Sequence, residues 1–286
     1  MYAQSFISYP RSDPGQGPRE PAMETTLHRQ LKALYADDQS QQEVPLDNYR
    51  IDVVRGGVLV EIQLGAIGAI RDKLRKLLEN HKVLVVKPII VRKHLVKLDG
   101  PDGSLVSRRR SPKRGNLMTL FDELVYCTRL FPHPNLCIDV PLIEMEEFRF
   151  PGHGRRRRHR DNDFQIQDQS LLSVESIERF ATAADLANLV PKTLPKTFHT
   201  GHLAEAIGQS REKAQQVAYC FRHMKITKQV GKEGNAILYR FRSPRDRKRR
   251  KRSRRMSAIP LPSLPTGPLP TGPLPPASLP STNANA

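Results

Sequence analysis

Apolar residues recur along the chain at three spacings, and each spacing predicts a different kind of element. From Glu24 onward, Leu27, Leu31, Leu34 and Tyr35 fall on one side of a helix. Glu43-Val44-Pro45-Leu46 reads as a short edge strand, because Pro45 lacks the amide that a central strand needs. Tyr49 to Gln63 alternates around Asp52, turns at Gly56-Gly57 and returns through Val58, Leu59 and Val60, which predicts a tight β-hairpin. Beyond it Ile67, Ile70, Leu74, Leu77 and Leu78 form a second helical stripe, with Arg71, Lys73, Arg75 and Lys76 toward solvent. Val83 to Val86 is an unbroken apolar run, the pattern of a strand buried on both faces.

The rest of the chain predicts a second hairpin over 89–108 that turns at Asp99 to Gly103, a helix from Asn116 to Leu130 ended by Pro132 and Pro134, and late strands from Leu136 to Phe150. Glu144, Glu146 and Glu147 are expected to face solvent there. A run of arginines from Arg155 to Arg160, broken by His159, then marks a composition shift, read as a basic linker. Past it, Thr182 is placed to cap a helix through Ala183, Leu186 and Leu189. Thr200 starts a short helix ended by Gly208, and Ser210 caps a longer one carrying Ala214, Val217, Ala218 and Phe221. A hairpin over 227–241 closes the unit. The expected organisation is a disordered 1–22, a domain over 23–150, a linker over 151–170, a smaller domain over 171–242 and a disordered tail over 243–286. Met23 stands as an alternative start.

The hairpin holds the chemistry. Glu61 and Gln63 are two residues apart and share a strand face, and Asp52 lies across from that face. Two carboxylates and an amide oxygen then converge where the hairpin opens. Such hard oxygen donors suit a divalent ion such as Mg²⁺ that keeps several waters; a surface hairpin with ordinary polar residues is the plainer alternative. Glu24 and His28 stand on the apolar stripe of the first helix, where an acid either faces the site or complements the helix N-terminus. His28 reads as a half-buried, satisfied histidine.

An acid on a helix, then Asp52, a short hairpin and Glu61-x-Gln63, followed by a helix and a strand, resembles the PD-(D/E)XK nuclease superfamily over roughly residues 23 to 90. Asp52 matches that family's first acid and Glu61 its second. Gln63 stands where the family carries lysine, and Ile51 where it carries proline. The resemblance implies an α/β fold of the restriction-endonuclease-like type, a mixed sheet flanked by helices. It also implies metal-dependent phosphodiester hydrolysis with Asp52 and Glu61 as metal ligands, Gln63 orienting water and Glu24 in a supporting catalytic role. In some relatives the lysine sits on a neighbouring element, and Lys73 or Lys87 is positioned for that; a solvated charge is the alternative for both.

Charge adds a partner. The chain has 47 Lys and Arg against 29 Asp and Glu, a net +18, which favours a polyanion. Residues 245–255 hold nine Lys or Arg and one Asp, and the Pro-rich repeat beyond them reads as an extended spacer. Arg108, Arg109, Arg110, Lys113 and Arg114 form a cluster expected to grip phosphate without local acids to compensate it. Three helices with a tight second turn and a hairpin resemble a winged helix-turn-helix, a second and smaller domain. On it Gln216, Tyr219 and His223 would face a groove and Lys228 and Lys232 would meet phosphate; a protein-binding winged helix is the alternative. Cys127, Cys137 and Cys220 have neither disulfide nor zinc spacing, which fits a reducing cytoplasm. No run is long and apolar enough for a membrane span.

The expected function is therefore hydrolysis of phosphodiesters in DNA with Mg²⁺ or Mn²⁺, in a cytoplasmic, nucleoid-associated protein, with a homodimer left open. The alternatives are a nuclease-fold regulator or repair accessory without catalysis and an RNA-processing factor. The whole chain also resembles an uncharacterised bacterial family.

Overall fold

The computed structural model describes residues 24–152 and 163–243. The expectations of disorder at the two ends, of the arginine-rich run at 155–160 and of the basic run at 245–255 lie outside those residues.

The first helix, α1 (Thr26–Tyr35), starts at Thr25, whose hydroxyl accepts from the His28 amide. An edge strand β1 (Gln41–Leu46) follows, then β2 (Tyr49–Arg55) and β3 (Val58–Ile62), antiparallel across Gly56-Gly57. Both glycines have positive φ, 54° and 74°, as a two-residue hairpin turn of the right twist requires. A 3-10 turn, Ile67–Ile70, runs into α2 (Arg71–Leu77), which leads to β4 (Lys82–Val86), parallel to β3 and fully paired with it.

β5 (Ile89–Leu98) and β6 (Leu105–Arg110) form the second hairpin. The helix expected over 116–130 is shorter: a 3-10 turn over Leu117–Thr119 and then α3 (Leu120–Leu124). Next come two long strands, β7 (Leu136–Pro151) and β8 (Phe164–Phe180), antiparallel from Ile138↔Phe180 to Pro151↔Phe164. β4 pairs with Leu136 to Asp139 and β5 with Leu142 to Arg149, both in parallel. Since β8 occupies one edge of β7 along its length, β4 and β5 succeed one another along the other edge. The chain is an α/β protein built on one eight-stranded mixed sheet flanked by helices, with a second, two-stranded sheet.

The linker expected over 151–170 is corrected here. Residues 164–170 are the first part of β8, hydrogen-bonded into the main sheet, so the smaller unit begins only after Phe180. It holds α4 (Ala183–Ala187), α5 (Thr200–Ile207), α6 (Arg211–His223) and the hairpin of β9 (Thr227–Glu233) and β10 (Ala236–Phe241). Thr182 and Ser210 cap α4 and α6 as their positions predict, and Gly208 ends α5 at φ 60°. Thr200 is the first residue of α5, as expected, and the cap before it is the His199 ring, whose Nδ1 accepts from the Gly201 and His202 amides.

Each face of the sheet has its own core. Leu27, Leu31 and Tyr35 of α1 pack on Val53, Val58, Val60, Ile62, Leu84 and Val86. On the opposite face Leu59, Val83 and Val85 meet α2, α3 and, in the same cluster, Val217, Phe221 and Phe198 of the smaller unit. Phe121 and Phe221 meet edge to face with ring centroids 5.7 Å apart. The small unit therefore shares a core with the large one and is not a bead on a flexible linker.

Candidate functional site at the open end of the hairpin

The β2–β3 ladder ends at Val53↔Val60. One residue further on, the strands part, and the Asp52 carboxylate fills the gap by accepting from the Ile62 amide at 2.7 Å. In the continued register Asp52 faces Glu61, so the expected pair does stand together at the mouth of the hairpin. Glu61 is 5% exposed. The α2 ammonium of Lys73 reaches its Oε1 at 2.6 Å and also donates to Arg50 O at 2.6 Å. Burial pushes the Glu61 carboxyl up to about 7 against the pull of that ammonium.

On the α1 side His28 donates from Nδ1 to Glu24 at 2.5 Å and from Nε2 to Ile62 O at 3.1 Å, with Asp52 Oδ2 3.5 Å away. Burial opposes a charge on His28, yet the Asp52 and Glu24 carboxylates raise it to about 9, so the ring is an imidazolium at neutral pH. Burial would likewise raise Asp52, but His28 and the Ile62 amide hold it below the usual carboxylate range.

Glu24 stands apart from the carboxylate pair, across the His28 ring. Its other partner is Lys32 at 2.5 Å, and Lys32 also pairs with Glu43, which in turn pairs with Arg50. The expectation that Glu24 reaches into the site directly is corrected: it fixes the ring that faces Asp52. Lys32 was not anticipated, although its place four residues after His28 on the same stripe is the signal that marks it. It is 4% exposed, far too buried for a solvated lysine without a paired carboxylate.

Gln63 follows the mouth of the hairpin. Its amide nitrogen donates to Ala66 O at 2.9 Å, which leaves the amide oxygen as the end able to accept. Lys87, at the end of β4, donates to Gly65 O at 2.5 Å and Leu64 O at 3.2 Å, with Glu123 at 3.4 Å. So of the two lysines on neighbouring elements, Lys73 meets the acid pair and Lys87 ties down the loop after Gln63. Neither is solvated. Among the described residues no three or more His, Cys, Asp or Glu side chains form a cluster shaped to hold a metal.

The basic residues sort into two places. Arg108, Arg109 and Arg110 are exposed on β6, not on a loop, and Lys113 and Arg114 follow on exposed chain that Gly115 ties to Ile90 O at 2.8 Å. The expected lack of nearby acids is corrected: Arg108 donates to Glu146 at 2.6 Å. Nor do Glu144 and Glu147 face solvent. Glu144 holds Arg92 and His94, and Glu147, 2% exposed, holds Lys93, Arg149 and Gln169. On α6, Tyr219 and His223 are exposed and their rings meet at a tilt with centroids 4.2 Å apart, and Lys232 is exposed on β9 while Lys228 is half-buried. Gln216 departs from its expected outward aim, because its amide oxygen is enclosed.

A sheet protein with two acids at a parted hairpin and its small unit docked through α3 is the class that fold and site define. Residues 25–181, more than half of the chain, match the family described as Domain of unknown function (DUF8091), and the chain belongs to that family. The matched region ends one residue past β8. An uncharacterized protein of Treponema pallidum (strain Nichols) is 32% identical over 226 residues, 79% of this chain and 88% of the relative. No solved structure matches the chain. Among the described residues no helix is long and apolar enough to cross a membrane.

Proposed function

We propose that the chain is a nuclease-like hydrolase that cleaves phosphodiesters in DNA with Mg²⁺ or Mn²⁺. One observation carries this: at the parted end of β2 and β3, Asp52 and the buried Glu61 stand together with the Lys73 ammonium against Glu61. This is the arrangement of acids that the PD-(D/E)XK resemblance implies, with the cation delivered from α2 in place of the strand.

The donor set fits a divalent ion of the hydrated kind. Two hard carboxylates suffice for Mg²⁺, which keeps several waters. Glu61, held near 7 by burial, is an acid whose charge a further cation would relieve. An ion held there by Asp52 and Glu61 would polarise the phosphate and lower the pKa of a bound water.

The chain's own groups have separable tasks. Lys73 places a positive charge next to the acids, where charge builds on a phosphate in the transition state. Gln63, with its nitrogen fixed on Ala66, presents an oxygen that orients water but cannot take a proton at neutral pH. Glu24 acts only through His28, which it holds against Asp52.

DNA is the proposed partner, gripped through phosphates by Arg109, Arg110, Lys113 and Arg114 and by the exposed side of α6. A nucleoid-associated place in the cytoplasm and a homodimer go with that proposal. The rival, a DNA-binding accessory without catalysis, draws on a different observation: His28 and Lys73 already neutralise both acids. Incubating the purified protein with supercoiled, linear, branched and single-stranded DNA, and with RNA, with and without Mg²⁺ or Mn²⁺, decides between them. Metal-dependent cutting supports the hydrolase; binding without cutting in either metal supports the accessory.

A further inference from the structure

A second place with its own chemistry lies at the far end of β5. From Ile89 to Lys97 the strand runs roughly 26 Å at about 3.3 Å per residue, so this place is separate from the Asp52 mouth. It is a cleft of about 400 Å³ lined by Lys97, Arg109, Arg149, Phe150, Asp163 and Phe164 among others. That volume is within the range of small-ligand sites, roughly 300–1,000 Å³.

The cations on its walls differ from their neighbours. Arg92, Lys93, Arg108 and Arg149 are matched to Glu144, Glu147 and Glu146. Lys97 and Arg109 have no ion-pair partner among the described residues, and both line the cleft. Lys97 is the direct register partner of Arg149 on β7, and Arg109 on β6 pairs with Leu95 on β5, so strand pairing fixes where all three lie. Two unmatched cations concentrated in one concave place are a phosphate-binding arrangement.

The remaining wall has other properties. The Arg149 guanidinium carbon lies 3.8 Å from the centre of the Phe164 ring, a stacked cation and ring of the kind on which nucleobases lie. Asp163 Oδ2 is buried and has no hydrogen-bond partner among the described residues. Its carboxylate lies over Gly152, where a Cβ would stand 2.2 Å from Oδ1, so the glycine leaves the space the carboxylate occupies. An enclosed carboxylate oxygen without a donor is costly, and because the Asp163 carboxylate also lines the cleft, N–H groups of a ligand there would lower the cost of its charge.

We propose that this cleft is a nucleotide site, with phosphate on Lys97 and Arg109, the base against Phe164 and Arg149, and Asp163 accepting from the base. Guanine, with a ring N–H beside an exocyclic amine, suits a carboxylate best. Uracil, whose single ring N–H is flanked by carbonyl oxygens, suits it worst. The nucleotide is either free or unstacked from a single strand, since both present the same base and phosphate. The proposal stands whether or not the Asp52 site cuts DNA.

Calorimetric titration of the full-length protein with GMP, UMP, guanosine and inorganic phosphate tests it. GMP is expected to bind at least about tenfold more tightly than each of the other three, as expected from losing one hydrogen bond to a charged group. Lys97→Ala with Arg109→Ala should weaken GMP at least about tenfold at an unchanged thermal midpoint, because both side chains are exposed. Asp163→Asn should flatten the preference for GMP over UMP. Two short single-stranded oligothymidylates, one with a central guanine and one without, separate the sources and set the cleft apart from the phosphate grip of Arg109: a guanine strand that binds more tightly than both GMP and the plain strand assigns the site to a strand, and two strands that bind equally assign it to a free nucleotide. Folded wild-type protein that binds no GMP at millimolar concentration overturns the proposal. So does phosphate binding as tightly as GMP, or a double variant with wild-type affinity.

Discussion

The Lys73 ammonium lies 2.6 Å from a carboxylate oxygen of Glu61, although the two residues belong to different elements, α2 and β3. Glu61 is nearly sealed from water, so this cation is its principal source of compensation. Removing either member leaves a buried group of the other sign without its partner, which costs more than the intact pair contributes.

Replacing Asp52 with Ala is expected to abolish metal-dependent cleavage and leave DNA affinity within about twofold, because the carboxylate acts on the cation and the arginines act on phosphate. Cleavage of supercoiled DNA and a gel-shift titration at the same salt measure the two separately.

Lys73→Met should lower cleavage by about a hundredfold, the usual loss on removing one charge-stabilising donor. Gln63→Lys in that background is expected to restore part of the rate, since it brings an ammonium back from the strand. Restoration by the double variant, read by initial rates, identifies the missing charge as the cause.

Stability should fall as pH rises from about 5 to 9, for two reasons of the same sign. Glu61 has its folded pKa raised from 4.5 to about 7, so the folded state holds the extra proton in that window and loses its advantage as pH rises. His28 is raised from 6.5 to about 9, so its stabilisation is complete below 6.5 and is lost through 9. Asp52 and Glu24 are lowered, and their contribution is lost only as pH falls through the acid range. Urea midpoints against pH check this: Glu61→Gln should remove the lower part of the decline and His28→Gln the upper part.

Phe121→Ala should destabilise the whole chain by about 3–5 kcal/mol, the cost of emptying a large aromatic site in a core. Because Phe121 meets Phe221 in one continuous cluster, wild-type unfolding is expected as a single transition in both far-ultraviolet dichroism and tyrosine fluorescence. Splitting into two transitions in the variant would place the joint between the units at this contact.

The sequence by itself determined the elements whose causes are local. The stripe of Leu27, Leu31 and Tyr35, the Gly56-Gly57 turn, the run Val83 to Val86, the Ser210 cap and the Gly208 stop each rest on residues a few positions apart, and all stand in the structure. Strand parity also placed Asp52 opposite Glu61. Tertiary structure alone decided what depends on partners distant in sequence. β8 followed an arginine run that looked like a boundary, and only its ladder with β7 makes it part of the main sheet. Glu144, Glu146 and Glu147 looked solvated until β5 and β6 brought cations from 38 to 54 residues away. Glu24 looked aimed at the acids until His28 stood between them. Lys73 counted among the solvent-facing residues of its helix until the parting of β2 and β3 exposed a buried acid to it. A charged side chain has many surfaces it can face in an extended chain, and it settles on one only when burial removes water as its partner.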